Sequence, residues 1–240
     1  MRCLSLLLLL AVCGLLASCI DGHEEFWIGA DGSGRAEIHY EVPAAIASSM
    51  GGEAGISKLL DAFIGDTPTL TKATCRVTRK GDRLAVDFNA SFKSVLDLIV
   101  AVSGDSALSA GNFKSVVDPL VGHFDIRQSG RGVEMTRTIR PSQSLPGSFL
   151  MPASQFEGRR LVYILHLPVA PRESNATRTA DGGRTLIWDL TLKDGLKNPV
   201  VIHFKATMPV PRWMMAALAA ALALLGWLGW RRRRRRKSTQ

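Results

Sequence analysis

Cysteine is scarce where it would matter. The chain holds four, and Cys3, Cys13 and Cys19 all lie at its amino-terminal edge, so Cys75 stands alone in the remaining body. No disulfide can staple that body, and Cys75 reads as a small buried apolar residue. Excess charge is missing as well. The formal net charge is +9, but Arg2, Arg212, Arg231 to Arg236 and Lys237 supply nine positive charges at the ends, which leaves zero for the stretch between them. A nucleic-acid interface built on basicity is therefore excluded, and the arginine block is better read as a topology determinant. Catalytic signatures are absent too: there is no H-E-x-x-H, no Walker-type glycine loop and no G-x-S-x-G. Gly104-Asp105-Ser106 resembles the start of a lipase block, yet no Asp-x-x-His follows it to supply a general base. His23, His39, His123, His166 and His203 are scattered without ligand spacing. The expectation is a protein that is not an enzyme, with no metal, no cofactor and no nucleic-acid partner.

What is present sits first at the two ends. Met1-Arg2 followed by the apolar stretch Leu4 to Leu16 and then Leu16-Ala17-Ser18-Cys19 reads as a signal peptide over residues 1–18 that closes on a cysteine. The tetrapeptide resembles the lipobox of bacterial lipoproteins, in which the thiol of Cys19 receives a diacylglycerol and becomes residue one after cleavage. At the other end Trp213 to Trp230 is free of charge, about 27 Å long as a helix at ~1.5 Å per residue, and closed by the arginine block. Together these predict four segments: the signal at 1–18, an extracytoplasmic domain at 19–211, a transmembrane helix at 212–230 and a basic cytoplasmic tail at 231–240. The membrane is the expected partner, and the cytoplasmic (inner) membrane of a bacterium the expected location, with the protein lipid-anchored and single-pass.

The body is written mostly in period two. Ala36, Ile38, Tyr40 and Val42 alternate with Arg35, Glu37, His39 and Glu41 behind the turn Asp31-Gly32-Ser33-Gly34, which predicts a hairpin with the strand at Glu24 to Ala30. Thr71 to Arg79 with Leu84 to Phe92, and His123 to Gln128 with Val133 to Arg140, predict two further hairpins. Arg159 to Leu167, Thr185 to Leu192 and Val200 to Met208 are the closing strands. Ala44 to Met50, Ile56 to Ile64 and Val95 to Val102 read as helices, with Gly51-Gly52 either a plain break or a hinge. Pro141 to Gly158 reads as a long loop whose apolar residues either cap the core or touch lipid. The predicted fold class is α+β: an antiparallel sheet of sequential hairpins with two or three helices on one face, plus the C-terminal transmembrane helix.

The lipobox Cys19, the turn at Asp31, Leu167-Pro168, the loop Glu173-Ser174-Asn175-Ala176, and Asp181-Gly182-Gly183 before Ile187-Trp188-Asp189-Leu190 form a pattern over nearly the whole chain. With the apolar run and basic end, it resembles the LppM-type bacterial lipoprotein domain. That resemblance implies a membrane-anchored α+β domain with an apolar cavity for envelope lipids or glycolipids, and no catalytic residues. Asn175-Ala176-Thr177 also fits a glycosylation sequon, although the lipobox points to a bacterium, where such a sequon is usually silent.

Three functional expectations follow. In the first, a lipid or glycolipid occupies a cavity lined by Tyr40, Phe63, Phe88, Phe92 and Trp188, held by the apolar area removed from water at ~25 cal/mol per Å². Those aromatics could equally fill a core. In the second, the domain is a scaffold that recruits a protein partner and encloses no ligand. The third rests on Pro209-Val210-Pro211, which with the apolar run and arginines resembles PEP-CTERM sorting signals. Here Arg212-Trp213 stands where that pattern has Glu-Pro.

Overall fold

The computed structural model describes residues 21–103, 122–129, 132–144 and 158–207. The leader, Cys19, the motif at residues 104–106, most of the long apolar loop, the apolar run at 213–230 and the arginine block lie outside the described residues. Strands β1 (Asp21–Ile28) and β2 (Gly34–Pro43) form the first hairpin; helices α1 (Ala44–Ser49) and α2 (Gly52–Asp66) follow. Gly51 and Gly52 both have positive φ, +83° and +66°, so the glycine pair is a sharp break between two helices that a side chain would oppose. Next come β3 (Leu70–Lys80), β4 (Arg83–Phe92) and α3 (Val95–Ser103), then β5 (His123–Ser129) and β6 (Gly132–Ile139). A single turn, α4 (Pro141–Ser144), precedes β7 (Arg160–His166), β8 (Glu173–Ser174), β9 (Arg178–Ala180), β10 (Thr185–Thr191), α5 (Leu192–Lys197) and β11 (Val200–Thr207).

These strands do not make one sheet. Seven form a large sheet in the order β3-β4-β2-β1-β7-β10-β9, and four form a small one in the order β5-β6-β11-β8. The α+β expectation is therefore corrected: the described body is mainly β, in two sheets, with few helices. Nor is the pairing wholly of sequential hairpins, since β1 pairs β7 in parallel, Glu24 opposite Tyr163. Alternation identifies a strand but carries no address, so the segments at 123–139 and 200–207 looked like further members of one sheet. Among the described residues no helix is long and apolar enough to cross a membrane. The longest, α2, has 15 residues and carries Glu53, Lys58, Asp61 and Asp66, so the expected spanning helix is not part of the described fold.

One face of the large sheet is buried in two halves. Over β2 to β4, Phe63 of α2 and Leu98 of α3 pack on Ala36, Phe88, Ala90 and Phe92. Over β1, β7 and β10 the small sheet lies as a second layer, where Met135, Ile139, Ile202 and Phe204 meet Tyr163, Leu165, Leu186 and Trp188. Two packed layers around one core are the ordinary solution for sheets with a single apolar face. The alternate residues of the large sheet, among them His23, Glu25, Trp27, Arg35, His39, Asp87, Val162, Ile164 and Ile187, point the other way by the period of two.

Candidate functional site

The expected cavity lining does not converge on one hollow. Phe63, Phe88 and Phe92 are buried together between α2 and β4, with the Phe63 and Phe88 rings 6.2 Å apart. Trp188 is 1% exposed in the other half of the core, and its ring lies 5.5 Å from that of Tyr163. Tyr40 belongs to neither cluster. These four apolar aromatics fill cores, the second of the two roles open to them from sequence.

Tyr40 belongs to a buried polar cluster between the two sheets. Arg137 of β6 donates twice to Glu24 of β1, Nη1 to Oε2 at 2.6 Å and Nη2 to Oε1 at 3.0 Å. The Tyr40 hydroxyl donates to Glu24 Oε1 as well, while the Arg137 guanidinium lies 5.2 Å from both the Phe124 and Tyr163 ring centroids. Burial pushes the Glu24 carboxyl up, but the charge and hydrogen bonds of Arg137, with the bond from Tyr40, outweigh it and hold the group below the ordinary range. Burial, with the Glu24 charge beside it, raises the Tyr40 phenol well above its usual value, and burial takes Tyr163 to about 12. Gly22 makes room for this arrangement: a Cβ there would collide with the Tyr40 ring and come within 2.9 Å of Leu161.

Beside the cluster, Gly22, Leu161, Leu190, Ile139 and Ile202 enclose about 20 Å³ for the centre of a water-sized sphere. That is room for a water molecule or two, not for an acyl chain. Chemically the cluster is a clamp. A charge pair taken out of water must be well aligned and fully bonded to be tolerated, and this one joins the large sheet to the small one.

The outward face of the large sheet is organised differently. A row of contacts crosses four strands: Glu37 Oε1 accepts from Arg35 Nη1 at 3.0 Å, and the Arg35 guanidinium lies 3.7 Å from the Trp27 ring. The Trp27 ring stacks on His166 at 4.9 Å and 6°. The two His166 nitrogens then lie 2.7 Å from Glu25 Oε1 and 2.9 Å from Thr185 Oγ1. Beside the row, His39 Nδ1 lies 2.6 Å from Asp87 Oδ1. Val162, Ile164 and Ile187, half-buried, adjoin one another on the same face, with Ile164 opposite Glu25 on β1 and opposite Ile187 on β10. Sequence reasoning took the histidines singly and missed that β1, β2 and β7 bring His23, His39 and His166 onto one face. The strand-period parity was a signal for His23 and His39, but the parallel pairing of β7 with β1 was not visible in it. Among the described residues no group of His, Cys, Asp and Glu side chains is arranged to hold a metal ion.

Two motifs noted for their resemblance do meet in space. Asn175 Oδ1 accepts from Trp188 Nε1 and from His203 N, both at 2.8 Å, and Asn175 Nδ2 donates to Val201 O at 2.8 Å. An asparagine so engaged, though exposed, ties β10 of the large sheet to β11 of the small one and is not a free glycosylation acceptor. No family model, curated protein or solved structure matches the chain.

Proposed function

We propose that this protein is a lipoprotein of a bacterial envelope, attached to the membrane through Cys19 and resembling the LppM type, which recruits a protein partner through the outward face of its seven-stranded sheet. The observation that carries this reading is the contrast between the two sides of that sheet. Inside, the aromatics expected to line a lipid cavity fill closed cores, and the space beside the Glu24 cluster takes only water. Outside, the register sets the half-buried aliphatics Val162, Ile164 and Ile187 side by side on β7 and β10, and one residue pair further along Trp27 is stacked between Arg35 and His166, with Glu25 and Asp189 alongside, a face that mixes apolar contact area with polar groups as recognition patches do.

A photoreactive amino acid at Ile187 in the full-length chain is expected to give a discrete crosslinked species in cells, and one at Thr138, on the exposed side of the small sheet, is not. Trp27→Ala should remove that species while leaving the unfolding midpoint near wild type. Native mass spectrometry of the detergent-extracted chain is expected to find no lipid beyond the acyl chains on Cys19. A second, stoichiometric lipid would return the function to the interior.

A further inference from the structure

β1 begins at Asp21, so Ile20 alone separates Cys19 from the folded body. Asp21 itself is fixed: Arg159 Nη1 donates to its Oδ2 at 2.6 Å and the backbone N of Arg160 to its Oδ1 at 3.0 Å. One residue reaches about 3.5 Å. An acylated Cys19, held at the headgroup layer, therefore leaves this end of the sheet no room to swing away from the bilayer.

The topology gathers basic side chains at that end. β2 closes there with Pro43 opposite Arg83, which places the β3–β4 hairpin tip and its exposed Arg79 and Lys80 at the rim. On the other flank Arg160 pairs Thr191, and the Leu192 amide donates to Arg159 O at 3.0 Å, which brings up α5 with its exposed Lys197. A Cβ on Gly195 of α5 would lie 3.2 Å from Pro141, so exposed Arg140 joins the same rim. Of the acids nearby, Asp21, Glu41 and Asp189 are already engaged by Arg159, Arg83 and Arg160. Among the described residues, Asp82 of the hairpin tip, Asp194 of α5 and Glu53 of α2 are further acids on this side.

We propose that this rim is a docking surface for an anionic bilayer, with Arg79, Lys80, Arg140 and Lys197 reaching lipid phosphates, so that the strands stand upright on the membrane and the outward sheet face is presented sideways to its partner. This rests on the reading of Cys19 as the lipidated residue. Each basic side chain near an anionic surface shifts such a seating about fivefold.

The test uses the full-length chain with Cys75→Ala, its Cys19 acylation read from the intact mass, in vesicles of phosphatidylcholine with or without phosphatidylglycerol. A fluorophore on Lys80→Cys is expected to be quenched strongly by headgroup-spin-labelled lipid, and one on Lys93→Cys, at the opposite end of the sheet, several-fold less. With the fluorophore on Asp194→Cys, quenching should strengthen when phosphatidylglycerol is present, and the Lys80→Ala/Arg140→Ala/Lys197→Ala variant should lose that dependence. Equal quenching at 80 and 93, or no effect of phosphatidylglycerol on the acylated chain, overturns the proposal while leaving the anchor intact. An unacylated Cys19 overturns the anchor itself.

Discussion

Glu24 is one acid in the run Asp21-Gly22-His23-Glu24-Glu25, with no local mark to separate it from its neighbours. Its register on β1 turns it inward, and a guanidinium 113 positions away in the chain meets it there. Removing Arg137 strands that carboxylate in a low-dielectric interior with the Tyr40 hydroxyl as its main remaining support. Arg137→Met is therefore expected to cost about 3–5 kcal/mol in urea unfolding, and Glu24→Gln/Arg137→Met to recover much of it, because no buried charge is then left unpaired. The sign with pH follows from the direction of the shift. Glu24 is held lower in the folded state than in the unfolded one, so its contribution is present above the unfolded value of about 4.3 and is lost as pH falls through the lower folded value. Tyr163, raised to about 12, acts at the other extreme: its contribution is complete below an ordinary phenol's value of about 10 and lost as pH climbs through the raised one. Urea midpoints across pH should show the acid arm flattened by Glu24→Gln and the alkaline arm flattened by Tyr163→Phe.

Among the elements, the hairpins and helices were largely legible. Leu84, Phe88, Ala90 and Phe92 alternate cleanly with Asp87, Asn89 and Ser91, and β4 runs over Arg83–Phe92 with that face inward. The apolar stretch Arg159 to Leu167 reads as a strand without a side to it, and the reason is now visible: β7 is central, flanked by β1 and β10, with Leu161, Tyr163 and Leu165 inward and Val162 and Ile164 outward. The stretch from Pro168 to Gly183 hid its role because its main link between the sheets is made by the side chain of Asn175, just past the two-residue strand β8. Asn175→Ala deprives the Trp188 indole N–H and the His203 amide of their acceptor, and a buried donor left unsatisfied costs about 1–3 kcal/mol. A drop of that size, with a changed Trp188 fluorescence maximum, is the expected outcome. Asn175→Asp, which keeps an acceptor oxygen, should lose less.

For the molecule as a whole, the question is whether its aromatics enclose a ligand or one another. Phe88→Ala discriminates. In a close-packed core the truncation leaves a cavity and is expected to cost about 3–5 kcal/mol by urea or thermal unfolding. Lining an open pocket, the same ring would be nearly dispensable for stability, so a loss well below 1 kcal/mol with altered lipid co-purification would restore the cavity reading. Of the residues expected around a cavity, Tyr40 lines the small hollow beside the polar cluster, with its hydroxyl on Glu24. Phe63, Phe88, Phe92 and Trp188 carried the right information about burial and none about emptiness, because an apolar side chain leaves water equally well for a ligand or for another side chain.

Local chemistry decided much of this protein without any fold: where strands begin and end, which face of each is apolar, where glycines break a helix, and that Cys75 has no disulfide partner within the body. Those are properties of neighbouring residues, set by backbone sterics and a period of two. Tertiary structure alone decided that the strands divide between two sheets, that β1 takes β7 as a parallel neighbour, that Glu24 meets Arg137, and that Trp27, His166 and Ile164 share an outward face. Each of those facts joins segments far apart in the chain. Closing such loops has an entropic cost set by length, and the return comes from packing that no short window of sequence contains.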